Sequence, residues 1–212
     1  MGQCCNLHDM NCANLQMTDY DTVSRPEADD VAVLSAPLSD VLTQELDGAS
    51  VALGVTAEDV LLAALGWAIE RTIGEGAVAV DVPGHGRSMH PVQLSCVGPL
   101  RAHATELLAG VHHSAVSRRR IVHGVPDDSH AQLLSDILFA YGDAEPAQLG
   151  HVLELRAHRR GGVVVLDWWY DTRSFEPYTI EELAEQLPFT LIELTSEATA
   201  PALAAAELAM AH

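Results

Sequence analysis

Apolar residues recur at two different spacings along this chain, and each spacing predicts one kind of element. The segment TAEDVLLAALGWAIERTIGEG (56–76) carries apolar residues nearly all round a helix, which predicts a helix buried on most sides. Thr56 precedes it as an N-cap, with Asp59 three positions on, and Gly76 lies at its end. Further helices are predicted over LSDVLTQELDGAS (38–50), with Ser39 as its N-cap, over 99–118 and over 129–137.

Period-two alternation and short apolar runs predict strands in the remaining segments. VAVLSAP (31–37) and AVAVDVP (77–83) are apolar runs that each end at a proline. In HVLELRAHRRGGVVVLDWWYDT (151–172), apolar and polar residues alternate on both sides of Gly161-Gly162, which predicts an antiparallel hairpin. Of the Trp168-Trp169 pair within it, one ring is expected in the core and the other outward.

The last periodic segment, TIEELAEQLPFTLIELTSE (179–197), predicts a closing helix that begins with a capping box of Thr179 and Glu182. Pro188 lies inside this segment. A proline inside a helix removes a hydrogen bond and crowds the preceding turn, so we expect it to kink or divide the helix.

The order of these elements predicts an α/β fold, in which helices flank a mixed sheet that contains an antiparallel hairpin. Residues 1–28 are polar and aperiodic, so we expect them to form a disordered tail. Residues 29–197 are predicted to form one domain, and 198–212 a second, Ala-rich tail. The 212 residues are enough for one domain with a substantial core.

Composition narrows the classes of partner and compartment. The 30 acidic and 11 basic residues give a formal net charge of −19, which repels phosphate backbones, so we expect no nucleic-acid partner. We expect no membrane span, because apolar runs are short, and a cytoplasmic location, because the start lacks the apolar stretch of a signal peptide. Cys4, Cys5 and Cys12 form no CxxC pair, which favours reduced thiols in a loose tail over a metal site.

Five motifs follow one another between about residues 30 and 196. They are VTAEDVLLAALGWAIER (55–71), VAVDVPGHGR (78–87), CVGPLRAH (96–103), DILFAYGD (136–143) and WYDTRSFEPYTIEELAEQL (169–187). In this order they resemble the second half of a condensation or epimerization domain of nonribosomal peptide synthetases, a chloramphenicol acetyltransferase-like family. That family has an NDVLLAAL helix, an EGHGR turn, a VGWFTS or IGFFVNT segment, an LFNYLG strand and a closing strand and helix.

The resemblance implies a partial unit. A complete domain of this family has two chloramphenicol acetyltransferase-like halves, an active-site HHxxxDG motif in the first half, and a substrate tunnel between the halves. This chain would therefore be a single half-domain that assists acyl or peptidyl transfer between carrier-bound thioesters only with a separate HHxxxDG-bearing half. The resemblance implies no metal or redox cofactor of its own, since phosphopantetheine belongs to the carrier proteins.

His112-His113 has the first two letters of the HHxxxDG motif, whose second histidine handles the amine that attacks a thioester. The string here is HHSAVSRRR, with Ser117 and Arg118 where the motif has Asp and Gly, and it lies in the wrong half. We therefore interpret the two histidines as partly exposed residues of a helix, beside an arginine cluster, and assign no catalytic residue.

Gly84, His85, Gly86 and Arg87 form a better candidate site, because a Gly-x-Gly turn after a buried strand permits close backbone approach. The resemblance places this turn near the tunnel, where Arg87 could donate hydrogen bonds to a carboxylate or to carbonyls across the interface. Together with Gly98 of CVGPLRAH, these residues are our candidate tunnel or half-domain interface.

Other chemistry is not supported by a motif. The chain has no GxSxG sequence, and Cys96 is a lone thiol in apolar surroundings. The glycines of GEGAVAVDVPGHG do not follow the GxGxxG order of a dinucleotide loop. His85 and His90 have poor metal-ligand spacing, and we expect His90 to lie in a loop.

Two functions remain open from the sequence. In the first, the partner is a missing N-terminal half or a second copy of this chain, and acidic carrier proteins dock at arginine-rich spots such as 118–120 and 159–160. In the second, the chain is a non-catalytic remnant or a scaffold protein of the same fold. A half-domain on its own would be expected to expose a large apolar face.

Overall fold

The computed structural model describes residues 15–84, 89–121, 135–142 and 150–199, and only the backbone of 115–121. Six strands form one mixed sheet in the order β1-β6-β5-β4-β2-β3, in which β4 pairs parallel with β2 and β5 and the other pairs are antiparallel. The strands are β1 (Val31–Pro37), β2 (Gly76–Pro83), β3 (Met89–Cys96), β4 (Ile137–Tyr141), β5 (Leu153–Arg160) and β6 (Val163–Asp171). The helices are α1 (Asp40–Leu53), α2 (Ala57–Thr72), α3 (Ala104–Ile121) and α4 (Pro177–Glu197). The predicted α/β fold with a mixed sheet is confirmed.

Local signals set several element ends as predicted. Ser39 accepts a hydrogen bond from the Leu42 N–H at the start of α1, and Thr56 and Asp59 form a reciprocal capping box at the start of α2. The β5–β6 hairpin turns at Gly161 and Gly162, whose φ angles of 59° and 94° are in the left-handed region that favours glycine.

Helix α4 differs from its prediction at both proline positions. It begins at Pro177, with Glu176 as the N-cap, so the predicted capping box of Thr179 and Glu182 is wrong; a proline fits the first turn because its fixed φ suits a helix. Pro188 does not divide the helix, which runs unbroken to Glu197. Extensive packing of α4 against α2 outweighs the lost hydrogen bond.

Two further predictions were wrong because tertiary pairing overrides local pattern. His90 lies in strand β3 and not in a loop; Pro91 obscures the strand but is tolerated because β3 is an edge strand. Ile137 opens β4 and does not end a helix, since β4 pairs with β2 and β5 on its two sides. The part of that predicted helix over 129–134 lies outside the described residues, and α3 begins at Ala104, later than predicted.

The hydrophobic core lies between the four helices and one face of the sheet. Alternate strand residues such as Val80, Phe139, Leu155 and Trp168 point into it, and helix α2 is buried along most of its length. Trp168 is fully buried, whereas Trp169 is half-buried on the opposite face, as predicted.

The chain segment before β1 contacts the domain. In residues 15–30, which we call the N-terminal strap, the Leu15 N–H donates to the Ala77 carbonyl and Met17 is buried. The Asp19 carboxylate accepts from the Glu176 N–H at the start of α4. The predicted tail over 1–28 therefore needs correction for residues 15–28, because polar residues here bond to strand and helix ends; residues 1–14 and the end of the predicted Ala-rich tail lie outside the described residues.

Among the described helices, none is by itself both long and apolar enough to cross a membrane. Helices α1 and α2 pass that test only as a pair, and a bend of 110° separates them.

Gly66 provides a test of the close packing of α2 on the sheet. A Cβ atom there would lie 2.9 Å from the Ser95 carbonyl oxygen of β3, so Gly66→Ala should destabilise the protein by about 1–3 kcal/mol. Gly48→Ala in α1 is the matched control, because its Cβ would meet no atom within 4 Å; it should leave stability unchanged or raise it by up to about 1 kcal/mol. Urea unfolding of both variants checks this, and equal effects would contradict the packing.

Candidate half-domain interface

The structure separates the described members of the predicted site. Gly84 follows the last residue of β2, whereas Gly98 follows β3 at the other end of the same hairpin, where Cys96 pairs with Gly76. Eight strand residues at about 3.4 Å each place them on the order of 25 Å apart. His85, Gly86 and Arg87 lie outside the described residues, so a role of this turn at a tunnel stays a prediction.

Gly98 has a local packing reason to be glycine. A Cβ atom at this position would lie 3.0 Å from Glu70 Oε1, closer than ordinary van der Waals contact. Its carbonyl accepts hydrogen bonds from the N–H groups of Arg101 and Ala102 and so forms the turn before α3. Because Glu70 Oε1 is the end of a flexible side chain that can shift, this contact alone does not require a glycine, and the predicted interface role of Gly98 stays a prediction.

The face of the sheet opposite the core, which we call the free face, carries no helix among the described residues. Strand register places Val33, Trp169, Glu154, Leu138 and Asp81 in one row across it. The neighbouring row contains Ser35, Asp167 and Arg156. The free face therefore combines a small apolar area at the β1 edge with a larger charged area toward β2.

Four charged or titratable side chains form a buried group on this face, which we call the inner cluster: Asp81, His151, Glu154 and Arg156. His151 Nε2 lies 3.0 Å from Asp81 Oδ2, and His151 Nδ1 lies 3.6 Å from Glu154 Oε1. Arg156 donates through Nε (3.1 Å) and Nη2 (2.8 Å) to Glu154 Oε2. The side chains of all members except Arg156 are at most 5% exposed.

The charge state of Glu154 follows from its surroundings. Burial raises the pKa of Glu154, but the His151 ring that faces it at 3.6 Å and the hydrogen bonds from Arg156 lower it by more, so the pKa lies below its ordinary value. Glu154 is therefore ionised at neutral pH and is compensated by Arg156, as a buried carboxylate must be.

A second polar group, the outer cluster, lies nearer β1 and the hairpin turn. Ser35 donates to Asp167 Oδ1, His158 Nδ1 lies 3.5 Å from Asp167 Oδ2, and Arg160 Nη2 donates to His158 Nε2 over 3.4 Å. Together the two clusters cover much of the free face with paired charges. The expected large apolar face is therefore not what the described part of this surface shows, because paired polar groups replace it.

At the end of β6, Asp171 organises the turn into α4 and holds the N-terminal strap. Arg173 donates to both oxygens of its buried carboxylate, and Ser174 donates to one of them. Arg173 also bonds Ser24 of the strap. Burial raises the pKa of Asp171, but the hydrogen bonds from Arg173 and Ser174 lower it by more, to below its ordinary value.

The two helix histidines differ from one another. His112 Nδ1 lies 2.9 Å from Oδ2 of Asp59, whose side chain is 1% exposed, while His113 is exposed. His112 is 19% exposed, so the predicted partial exposure is correct, but the buried partner was not predicted. The contact joins α3 to the first turn of α2, which is a structural role.

The remaining candidates offer no reactive group among the described residues. Burial raises the pKa of the Cys96 thiol to about 12, with a smaller effect from Glu70, so it is not a thiolate at neutral pH. No group of three or more His, Cys, Asp or Glu side chains in the described ranges is arranged to hold a metal ion.

Sequence reasoning missed the inner cluster, although one signal for it is present. Asp81 interrupts the apolar run AVAVDVP, and a carboxylate inside a buried strand requires a partner. Its partner, His151, is 70 positions away, and Glu154 was interpreted only as part of a polar strand face. The partner could not be chosen without the strand order.

Comparison with known proteins finds sequence relatives of one kind, and it finds many solved structures with a similar fold. No family model matches the chain. A phenolphthiocerol/phthiocerol polyketide synthase polypeptide of Mycobacterium tuberculosis, and its counterpart in Mycobacterium bovis, are each 34% identical over 229 aligned residues, which cover 84% of this chain but 15% of that protein. The alignment therefore concerns a small part of a much longer protein.

Solved structures define the fold. The epimerization domain from the third module of tyrocidine synthetase B superposes with a TM-score of 0.69 at 20% identity, over 90% of this chain and 53% of that one. The condensation domain of the monacolin K polyketide synthase MokA gives 0.64 at 12% identity, over 87% and 53%. The resemblance to condensation and epimerization domains is thus confirmed, and the chain spans about half the length of these solved domains.

The histidine pair can be tested by single substitutions. His112→Ala should destabilise the protein by about 1–3 kcal/mol, because it leaves the buried Asp59 carboxylate without its partner on α3. His113→Ala on the same helix is the control and should change stability by less than about 0.5 kcal/mol. Thermal and urea unfolding measure both, and two equal values would refute the assigned contact.

Because the native pKa of Asp171 is lowered, we expect acid to reduce the free energy of unfolding. Its native pKa is lowered, so its contribution to the free energy of unfolding is complete above its unfolded pKa of about 3.9 and is lost as pH falls through the native pKa. Asp171→Asn should lower stability at pH 7 by about 1–3 kcal/mol and flatten the loss below about pH 4. Urea unfolding from pH 7 to pH 3 measures this, and parallel curves for the two proteins would contradict it.

Proposed function

We propose, from its condensation-domain fold, that this chain is the C-terminal half of a two-part transfer unit that is active only with a separate HHxxxDG-bearing half. The unit would pass an acyl or peptidyl group from one carrier-bound thioester to an acceptor on a second carrier. The acceptor's nucleophile attacks the thioester carbon, the carbon–sulfur bond breaks, and the sulfur leaves as a thiol with the proton that the nucleophile gives up.

One observation carries this proposal: the superposition covers about 90% of this chain but only 53% of a solved epimerization domain. The chain therefore has the extent of one half of such a domain. The free face supports the same proposal, since it has no described helix and presents Val33 at 49% exposure beside Trp169. We propose that the other half contacts this apolar area.

The catalytic base belongs, in this proposal, to the other half. His151 is buried between two carboxylates, and His112 is held against Asp59. Neither is placed to take a proton from a carrier-bound nucleophile. The contribution of this chain would be to complete the tunnel wall and to position the acceptor, which lowers the barrier through orientation.

Transfer is favoured over epimerization by one residue. Pro83 stands where the EGHGR pattern has a glutamate, so this position itself has no carboxylate. Epimerization needs groups that remove and return a proton at one carbon, and a proline has no ionisable side chain to do either. The sequence relative is part of a polyketide synthase, which is compatible with acyl transfer onto a carrier-bound acceptor.

Carrier proteins bearing phosphopantetheine are the partners we propose, and no further cofactor is invoked. The net charge of −19 would repel acidic carriers in general, so docking has to use local positive charge. Arg160 is exposed near the hairpin turn, whereas Arg159 is paired with Asp47. We place the unit in the cytoplasm as part of this proposal.

The alternative is a non-catalytic scaffold protein of the same fold, alone or as a homodimer. Ser35 and Arg160 are exposed on the free face and favour it in one respect, because exposed polar groups can remain in water without a partner. The two functions differ in what the genome should encode nearby: an intact HHxxxDG half for the transfer unit, and none, or an interrupted one, for the scaffold.

Co-expression with an HHxxxDG half encoded beside this chain tests the proposal. We expect a 1:1 complex by light scattering after gel filtration, and transfer from an acyl-carrier thioester that neither half performs alone. Val33→Asp should weaken the complex at least about tenfold, because it places a charge in the proposed contact.

Val51→Asp is the matched control, since Val51 is 85% exposed but lies on α1, away from the free face. It should leave the complex unchanged, and thermal melting verifies that both variants fold. A monomer or homodimer that ignores the other half, or equal weakening by the two variants, would refute the transfer unit and favour the scaffold.

A further inference from the structure

We infer that His151 carries a proton on both ring nitrogens at neutral pH and that this second proton holds the inner cluster together, which makes the cluster a proton-dependent link between β2 and β5. The inference concerns the fold and does not depend on the proposed transfer function. It assigns a charged state and a regulatory property to a buried group that has no part in the proposed chemistry.

The geometry around the ring is the first argument. Each nitrogen of His151 faces a carboxylate oxygen: Nε2 lies 3.0 Å from Asp81 and Nδ1 lies 3.6 Å from Glu154. An ionised carboxylate only accepts hydrogen bonds, and a neutral imidazole has one N–H and one lone pair. A neutral ring would therefore direct its lone pair at one of the two carboxylates, and only the imidazolium donates to both.

The hydrogen-bond inventory points to the same two atoms. His151 Nδ1 and Glu154 Oε1 are both buried and have no partner within ordinary hydrogen-bond distance, although they face each other. A donor on Nδ1 would satisfy both atoms after an approach of a few tenths of an ångström. Buried polar atoms without partners are rare and costly, so a shared proton is the simplest explanation.

Charge balance is the third argument. With an imidazolium, the inner cluster contains two positive groups, His151 and Arg156, and two negative ones, Asp81 and Glu154, and is neutral. With a neutral ring these four groups would carry a net charge of −1. Since His151, Asp81 and Glu154 are at most 5% exposed, water cannot screen that charge well.

The groups around His151 come from five parts of the chain: β2, the segment before β4, the N-terminal strap, β5 and β6. Beside Asp81 of β2, the Ser135 N–H donates to the same Asp81 oxygen over 2.8 Å. Arg25 of the N-terminal strap contacts the Ser135 carbonyl and lies 3.5 Å from Asp136. From β5 come Glu154 and Arg156, and on the next strand Asp167 pairs in register with Arg156 while Asp171 is bound to Arg173.

Loss of the proton would therefore weaken contacts among β2, the segment before β4, and β5. The charged half of the free face would then become less ordered.

Nitrogen-detected NMR of the wild-type protein, with ¹⁵N-labelled histidine, tests the charge state directly. At pH 7 we expect two ring N–H groups on His151, while the exposed His113 serves as the internal reference for an ordinary ring. One ring N–H on His151, with a free lone pair on the other nitrogen, overturns the inference.

Glu154→Gln provides a second test with a defined direction. It removes one of the two charges that face the ring, so the Nδ1–H signal of His151 should be lost at pH 7. Asp167→Asn, in the outer cluster, is the matched control and should leave the His151 signals unchanged. Two unchanged ring N–H signals in Glu154→Gln, or an equal loss in both variants, also overturn the inference.

Discussion

The burial of α2 is the constraint on which the rest of the structure depends. Because this helix is enclosed on nearly every side, its neighbours are fixed by what it touches: Gly66 packs on the Ser95 carbonyl of β3, and the Ala64 carbonyl accepts from Thr190 of α4. Its first turn holds α3 through Asp59. A continuous apolar surface also requires that all other helices share one face of the sheet, which leaves the free face to polar groups.

That division sets the chemical character of the two faces of the sheet. On each strand, the apolar residues at alternate positions lie in the core. The residues between them lie on the free face and include the paired charges of the two clusters. A buried ion pair adds little net stability compared with apolar packing, but breaking one is costly. Charge pairing therefore helps to hold the free face in one arrangement.

Helix caps and the orientation of neighbouring side chains were predictable from the sequence. The pairing of strands that are distant in the sequence was not. The capping box of Thr56 and Asp59 and the inward and outward tryptophans depend on residues within a few positions, so a pattern suffices. Strand β3 was missed because Pro91 breaks the pattern that its edge position tolerates. The site is less predictable still: Asp81 and His151 meet only because β2 and β5 flank β4 in the sheet, an order that no short window of sequence contains.

The character of the free face also bears on which partner it suits. Obligate interfaces resemble a domain core cut in two, whereas partners that fold separately meet through smaller apolar centres with polar rims. Here Val33 and Trp169 form such a centre, and the charged clusters lie around and beside it. If the partner half that we propose is a separate chain, it has to find this surface after both have folded. A face that holds its shape through paired charges and retains a small apolar centre would meet that requirement better than a wholly apolar one.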